Sequence, residues 1–175
     1  MKAWILDTGP LVAYLDASGK QHARVAARLD AFTGQLLTTT AVIAEAMHLL
    51  ATDRRGPALL AEFVAQSGLQ IFDFSDAAAL SEAARRMEKY ADIPMDYGDA
   101  TRVLLAERLG VFEILTLDYR GFTVFRSSKG KSFSMVLSPS RGLMVAAGAS
   151  EGKEERKRGG TRRARPPAGQ ITDPT

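Results

Sequence analysis

The amino-acid sequence alternates short apolar runs with longer segments in which apolar side chains recur at helical spacing. The short runs predict β-strands and the longer segments predict α-helices, because one side of a strand is lined by every second residue and one side of a helix by every third or fourth. The strands are predicted at residues 3–6, 36–39, 69–74, 111–117 and 122–125. The helices are predicted to begin near Pro10 and to cover residues 20–32, 41–51, 57–66, 76–90 and 96–109.

Residues at the ends of these segments support the predicted boundaries. Thr39 or Thr40 is suited to cap the helix at 41–51, because a hydroxyl oxygen accepts a hydrogen bond from a free backbone N–H. Gly110 follows the helix at 96–109, as C-terminal glycines commonly do. Strands separated by helices of this length predict right-handed crossovers and a mainly parallel sheet. We therefore expect an α/β fold with three layers, an α/β/α sandwich.

The composition is that of a soluble globular protein. The chain has 175 residues, of which 46% are hydrophobic and 25% are charged, and this balance excludes a collagen-like, coiled-coil or wholly disordered chain. The absence of cysteine excludes disulfides, thiolate metal sites and a cysteine nucleophile. No apolar run is long enough to span a membrane, and Asp7 interrupts the N-terminal apolar stretch that a signal peptide would need. We therefore expect a cytoplasmic protein with no membrane contact.

The charge is distributed unevenly along the chain. Residues 1–138 carry 15 basic and 16 acidic side chains, whereas residues 139–175 carry 8 basic and 4 acidic ones. The C-terminal stretch is rich in Gly, Pro, Ser and Arg, and such a composition buries too little apolar surface to fold. We therefore predict one folded domain at 1–137 and a basic, disordered tail at 138–175, whose removal leaves folding intact. The tail is either a solvated segment without function or a source of nonspecific affinity for phosphates.

Four acidic residues are predicted to lie near the carboxyl ends of the strands. Asp7 and Asp118 directly follow two predicted strands. Glu45 lies in the helix entered from the second strand, and Asp99 lies in the first turn of the helix at 96–109. Ligands of open parallel sheets bind outside the carboxyl ends of the strands. We therefore expect these four side chains to converge on one pocket.

A pocket lined by carboxylates, without His or Cys, suits a hard cation such as Mg²⁺ or Mn²⁺. Carboxylates a few ångströms apart repel one another, and a divalent cation removes this cost. A bound cation also converts water into a nucleophile and neutralises the charge of a phosphate group. The pattern therefore indicates cleavage of a phosphodiester by metal-activated water.

Each acid also has a purely structural interpretation. Asp7 and Asp118 are suitable turn residues, and Glu45 is suitable on a solvated helix face. Asp96 occupies an N-cap position, and Asp99 follows it at the spacing of a capping box. The apolar neighbours of Glu45 favour a functional role, since a charge among core positions needs a partner. Four acids at equivalent places in the topology together favour a site.

Several segments resemble one known family. The sequence is similar to PIN-domain ribonucleases, in particular to the VapC-type toxins, over about residues 3–126. The resemblance lies in the segments DTGPLVAYLD at 7–16, TTTAVIAEAMHLL at 38–50, MDYGDATRVLLAERLG at 95–110 and ILTLDYRGF at 114–122. It implies an α/β/α sandwich, an acidic Mg²⁺ or Mn²⁺ site, and cleavage of single-stranded RNA.

The resemblance also assigns roles to individual residues. The catalytic and metal-binding acids of the family match Asp7, Glu45, Asp99 and Asp118. Asp96 falls close to this site, either as a further metal ligand or as a helix cap. Thr8 and Thr116 match small hydroxyl positions that would orient a carboxylate or a water. Arg102 and Arg120 follow two of the acids closely, so that each is expected either to contact a substrate phosphate or to form a surface salt bridge.

A toxin of this family implies two protein partners, a cognate antitoxin and a second copy of the chain. The apolar helical segments at 10–15 and 41–50 are candidate interfaces, although the same residues also suit the core. Two other functions remain open: a housekeeping RNA-processing nuclease, and a binding module for nucleic acid without catalysis. An aspartyl phosphotransferase is disfavoured, because Asp7 is followed by Thr8 and Gly9 instead of by a second nearby acid.

Overall fold

The structure is a computed structural model, and it describes residues 2–137. The predicted basic tail at 138–175 lies outside the described residues. The strands are β1 (Ala3–Leu6), β2 (Gln35–Thr39), β3 (Gln70–Phe72), β4 (Glu113–Leu115) and β5 (Ser134–Met135). The helices are α1 (Thr8–Leu15), α2 (His22–Asp30), α3 (Thr40–Leu50), α4 (Gly56–Ser67), α5 (Ala77–Lys89), α6 (Tyr97–Leu109) and α7 (Tyr119–Val124).

The five strands form one parallel sheet in the order β3-β2-β1-β4-β5. The central strand is β1, in which Ile5 pairs with Leu37 of β2 on one side and with Ile114 of β4 on the other. The strands β2 and β3 thus lie on one side of β1, and the strands β4 and β5, which follow later in the sequence, lie on the other. Such a reversal opens a crevice at the carboxyl ends of the two central strands. β1 and β4 end at this crevice.

Helices cover both faces of the sheet, as the α/β/α prediction requires. Ile5 belongs to a core formed with α5 and α6, whereas Leu6 belongs to a second core formed with α1 to α4. The two neighbours pack on opposite sides because successive side chains of a strand point to opposite faces. The apolar run at 3–6 is continuous for this reason, since both faces of the central strand are buried.

The predicted strand at 122–125 is wrong, because these residues belong to helix α7 and its C-terminal cap. The Asp118 carboxylate accepts hydrogen bonds from the backbone N–H groups of Arg120 and Gly121, which starts a helix. Phe122 and Phe125 then point the same way, three residues apart, and both are fully buried. The fifth strand is instead Ser134–Met135, which is too short to produce a recognisable apolar pattern.

The predicted helix ends agree closely with the structure. Thr39 caps α3 by accepting a hydrogen bond from the N–H of Val42 at 3.4 Å. Gly110 ends α6 in the left-handed conformation, with φ of 71°, which is costly for residues with a side chain. Within residues 2–137, none of the helices has the length and apolarity needed to cross a bilayer.

Candidate active site

An open cavity of about 250 Å³ lies at the carboxyl end of the sheet. All four predicted acids line it, together with Asp96, Thr8 and Arg102. The complete lining is Asp7, Thr8, Gly9, Glu45, Leu49, Asp96, Asp99, Arg102, Leu117 and Asp118. Residues that are far apart in the sequence, from β1, α3, α6 and the end of β4, are therefore brought together here.

Asp7 lies at the base of the cavity, between β1 and α1. Its backbone N–H donates to the carbonyl of Leu115 at 3.1 Å, which anchors it to β4. Its side chain is buried, and the Thr116 hydroxyl donates to Oδ2 at 2.6 Å. Oδ1 accepts from Nη1 of Arg102. Both carboxylate oxygens of Asp7 are therefore held by side chains from other elements.

Asp99 is buried in the first turn of α6, where it forms a capping box with Asp96. The Asp99 N–H donates to Asp96 Oδ1 at 2.6 Å, and the Asp96 N–H donates to Asp99 Oδ2 at 3.2 Å. The other oxygen of Asp99, Oδ1, accepts from Nη2 of Arg102. Asp96 is itself exposed and caps the helix, which was one of its two predicted roles.

The electrostatic environment of Asp99 is unusual for an aspartate. Burial raises its pKa to about 6, the nearby Asp96 carboxylate adds to this effect, and Arg102 opposes it. Burial dominates because removing a carboxylate from water disfavours its charged form. The ionised form of Asp99 is therefore less favoured than that of an exposed aspartate, and an additional cation beside Asp99 would stabilise it.

Arg102 is buried, which contradicts the surface salt bridge that was one of its two predicted roles. Its side chain is 4% exposed, so that it forms no surface salt bridge, and it pairs with both Asp7 and Asp99. The guanidinium also lies over the ring of Phe122, with 5.3 Å between Cζ and the ring centroid. Arg102 faces Asp99 because residues three apart share one side of a helix. The predicted contact with a substrate phosphate remains a prediction.

The other two acids, Glu45 and Asp118, are exposed at the rim of the cavity. The Thr8 hydroxyl donates to Glu45 Oε2 at 2.7 Å. Glu45 is exposed, so that it does not occupy the core position that its apolar neighbours suggested. The Asp118 N–H donates to the Thr116 hydroxyl at 2.9 Å. Thr8 and Thr116 thus donate hydrogen bonds to acids of the cavity, and their orienting role in the site stays a prediction.

The residue types of the cavity fit a hard divalent cation. Its charged groups are five carboxylates and one guanidinium, and carboxylates are ligands that Mg²⁺ and Mn²⁺ prefer. In the arrangement that residues 2–137 adopt, however, no three acidic or histidine side chains are grouped closely enough to hold an ion. Arg102 contacts the Oδ1 atoms of both buried acids, Asp7 and Asp99. The donors are therefore present, and a cation would require their rearrangement.

Gly98, in the first turn of α6, was not among the predicted site residues. A Cβ atom at this position would lie 3.2 Å from Asp96 Oδ1 and 3.9 Å from Glu45 Oε2. The missing side chain therefore leaves space beside two of the acids. A glycine inside a helix lowers its stability, and this cost is the signal by which the residue is recognisable in the sequence.

Replacing Thr116 with Val is expected to lower the free energy of unfolding by about 1–2 kcal/mol, since a buried hydrogen-bonded hydroxyl is lost. Thr116 is fully buried and links Asp7 to the backbone of Asp118. Urea denaturation of the two proteins measures the difference. Thr123→Val is the matched control, because its hydroxyl is on an exposed residue. An equal loss in both variants would contradict the role of Thr116.

The comparisons with known proteins agree with this fold. The sequence profile of the PIN domain matches residues 4–126. Ribonuclease VapC26 from Mycobacterium tuberculosis is 35% identical over 134 residues, which cover 75% of this chain and 98% of the relative.

Two solved structures share the architecture at low sequence identity. The chain superposes on Mycobacterium tuberculosis VapC20, described as a toxin that cleaves the sarcin-ricin loop, with a TM-score of 0.61, 16% identity and coverage of 68% of this chain and 92% of the other. It superposes on VapBC2 from Rickettsia felis, solved with a DNA fragment from the promoter, with a TM-score of 0.53, 13% identity and coverage of 77% and 97%. At these identities the similarity establishes the fold alone.

Proposed function

Because the chain belongs to the PIN-domain family, among its VapC-type members, we propose that it is a metal-dependent endoribonuclease that cleaves single-stranded RNA. We propose further that it is the toxin of a type II toxin–antitoxin pair. The observation that carries the proposal is the convergence of Asp7, Glu45, Asp99 and Asp118 on one cavity. These residues come from four separate segments, and like charges brought together in this way need a positive partner, either Arg102 or a bound cation.

In this proposal Asp7 and Asp99 hold the principal Mg²⁺ or Mn²⁺ ion, and Glu45 and Asp118 complete the site. When bound, such a cation lowers the pKa of a water molecule and neutralises charge on the scissile phosphate. Attack by water leaves a 3′-hydroxyl and a 5′-phosphate, in contrast to the cyclic phosphate that forms when the 2′-hydroxyl of RNA attacks. The end groups of the products therefore distinguish the two routes.

Other residues of the chain would orient the acids and the substrate. Thr116 holds one oxygen of Asp7, and Thr8 holds one oxygen of Glu45, so that each carboxylate presents a defined face to the cavity. Asp96 remains a predicted metal ligand in addition to its observed role as a helix cap. Arg120 is exposed two residues after Asp118, where it is suited to contact a substrate phosphate.

The test is cleavage of labelled single-stranded RNA by the purified full chain, in Mg²⁺ or Mn²⁺ and in EDTA. We expect products with 5′-phosphate ends in either metal, no cleavage in EDTA, and recovery when excess Mg²⁺ is added back, because the carboxylates alone supply no electrophile. Cleavage that continues in EDTA, or products ending in a cyclic phosphate, would contradict metal-dependent hydrolysis. RNA binding without cleavage in any metal would instead favour a binding module.

A cognate antitoxin is the partner that we propose for the toxin. The predicted interface segments at 10–15 and 41–50 supply mainly core residues, although Leu49 is 46% exposed.

Expression of this chain in cells would distinguish a toxin from a housekeeping nuclease. A toxin is expected to arrest growth, and coexpression of a small neighbouring reading frame is expected to relieve the arrest. The homodimer remains a prediction, which the mass of the purified chain in solution tests directly.

A further inference from the structure

The buried guanidinium of Arg102 bridges Asp7 and Asp99, the two most buried acids of the cavity. Arg102 is 4% exposed and donates through Nη1 to Asp7 Oδ1 and through Nη2 to Asp99 Oδ1. Its Nε has no hydrogen-bond partner among the described residues. The side chain is thus held through its two terminal nitrogens, and both of its partners are proposed cation ligands.

A divalent cation and this guanidinium compete for the same two carboxylates, whose Oδ2 atoms already accept hydrogen bonds from the Thr116 hydroxyl and the Asp96 N–H. A magnesium ion ligated by Asp7 and Asp99 would lie about 2.0–2.1 Å from one oxygen of each carboxylate. The terminal nitrogens of Arg102 already approach an oxygen of each. A cation at hydrogen-bonding distance from a second cation in a buried site is strongly repelled. The two positive charges therefore exclude each other from the space between the two acids.

We propose that Arg102 is an internal counter-ion that occupies the proposed cation site until a divalent cation displaces it. The inference rests on the proposed function, in that it takes Asp7 and Asp99 as the cation ligands. Without the divalent cation, Arg102 neutralises two buried carboxylates that would otherwise repel each other. When the cation binds, it replaces the guanidinium of Arg102 as the positive partner of those carboxylates. The predicted contact of Arg102 with a substrate phosphate would follow this displacement.

The chain contains a second buried arginine that provides a matched control. Arg86 is 7% exposed and bridges Glu82 and Glu107, with N···O distances of 3.0 and 2.7 Å. Its Nε also lacks a partner among the described residues. Arg86 joins α5 to α6 and does not line the acidic cavity. Replacing either arginine with Met thus removes a buried bridge between two carboxylates, but only one of the bridges lies at the proposed cation site.

The experiment measures Mn²⁺ binding to the full-length wild type, Arg102→Met and Arg86→Met by electron paramagnetic resonance of free Mn²⁺. We expect Arg102→Met to bind Mn²⁺ at least about tenfold more tightly than the wild type, which corresponds to about 1.4 kcal/mol. Arg86→Met should bind it as the wild type does. Both variants should have a lowered Tm without metal, because each loses a buried guanidinium that bridges two carboxylates. Only Arg102→Met should regain the lost Tm when Mn²⁺ is added.

Unchanged or weaker Mn²⁺ binding by Arg102→Met than by the wild type would overturn the inference. It would also be overturned if neither the wild type nor Arg102→Met bound Mn²⁺. If Arg102→Met does not fold, Arg102→Lys provides the same comparison, since a single ammonium replaces the two-pronged bridge.

RNA cleavage by the wild type is measured in parallel. Tighter Mn²⁺ binding by Arg102→Met, with no cleavage by any of the proteins, would support the role of Arg102 as a counter-ion and refute the nuclease. RNA cleavage without Mn²⁺ binding at this site would support the nuclease and refute the role of Arg102.

The wild-type protein allows a second measurement that needs no destabilised variant. Nitrogen-15 spectra of the arginine side chains are recorded as Mg²⁺ is added, and the signals are assigned by comparison with Arg102→Lys and Arg86→Met. We expect the Arg102 signals to shift or broaden as Mg²⁺ binds, while the Arg86 signals remain unchanged. Binding of Mg²⁺ that leaves the Arg102 signals in place would overturn the inference.

Discussion

Asp7→Asn is expected to reduce the rate of RNA cleavage by about a thousandfold or more, the scale at which a member of an interdependent catalytic set is lost. The substitution keeps the shape of the side chain and removes its charge. Asp7 also accepts hydrogen bonds at both oxygens, from Arg102 and Thr116. An amide nitrogen in place of one oxygen would face a donor, so that the geometry of the cavity changes together with its charge.

Initial rates with labelled single-stranded RNA at saturating Mn²⁺ measure this effect. Asp92→Asn is the matched control, because Asp92 is exposed and does not line the cavity. Asp99→Asn should behave as Asp7→Asn does, since both acids belong to the same proposed ligand set. The melting temperature of each variant shows whether the fold survives. A folded Asp7→Asn protein that retains wild-type activity would rule out this cavity as the active site.

The second large effect concerns stability and the helix α7. Phe122→Ala is expected to lower the free energy of unfolding by about 3–5 kcal/mol, as removal of a buried aromatic ring commonly does. Phe122 is fully buried, and its ring makes edge contacts with Phe125 and Phe133 at centroid distances of 5.4 and 5.2 Å. The ring also lies under the guanidinium of Arg102, so that it supports one wall of the acidic site.

Urea denaturation of the wild type and variant measures the stability difference. Val124→Ala is the control on the same helix, because Val124 is 37% exposed, and it should change stability by less than about 1 kcal/mol. If residues 122–125 were instead a strand, Phe122 and Val124 would share one face and Phe125 would take the other. A large loss for Val124→Ala with a small loss for Phe122→Ala would therefore contradict the helix.

Local sequence determined the parts of this protein that depend on neighbouring residues. The apolar run at 3–6 predicted a strand, and Asp7 directly after it lies at the carboxyl end of that strand. The capping box of Asp96 and Asp99 was visible from spacing alone, because both partners lie within one turn of α6. The convergence of the acids followed from topology, since all parallel strands present their carboxyl ends at the same edge.

Only the tertiary structure decided how the charges of the site are paired. The sequence placed Arg102 three residues after Asp99 but carried no sign that the same side chain reaches Asp7 in β1. It also misassigned residues 122–125, whose aromatic run suits a strand by propensity. The Asp118 cap and the buried Phe125 and Phe133 rings make them a helix instead. For Arg102 the deciding contact comes from a distant segment, and such contacts leave no periodic pattern along the chain. For residues 122–125 the Asp118 cap is local, and the contact with Phe133 is the more distant one.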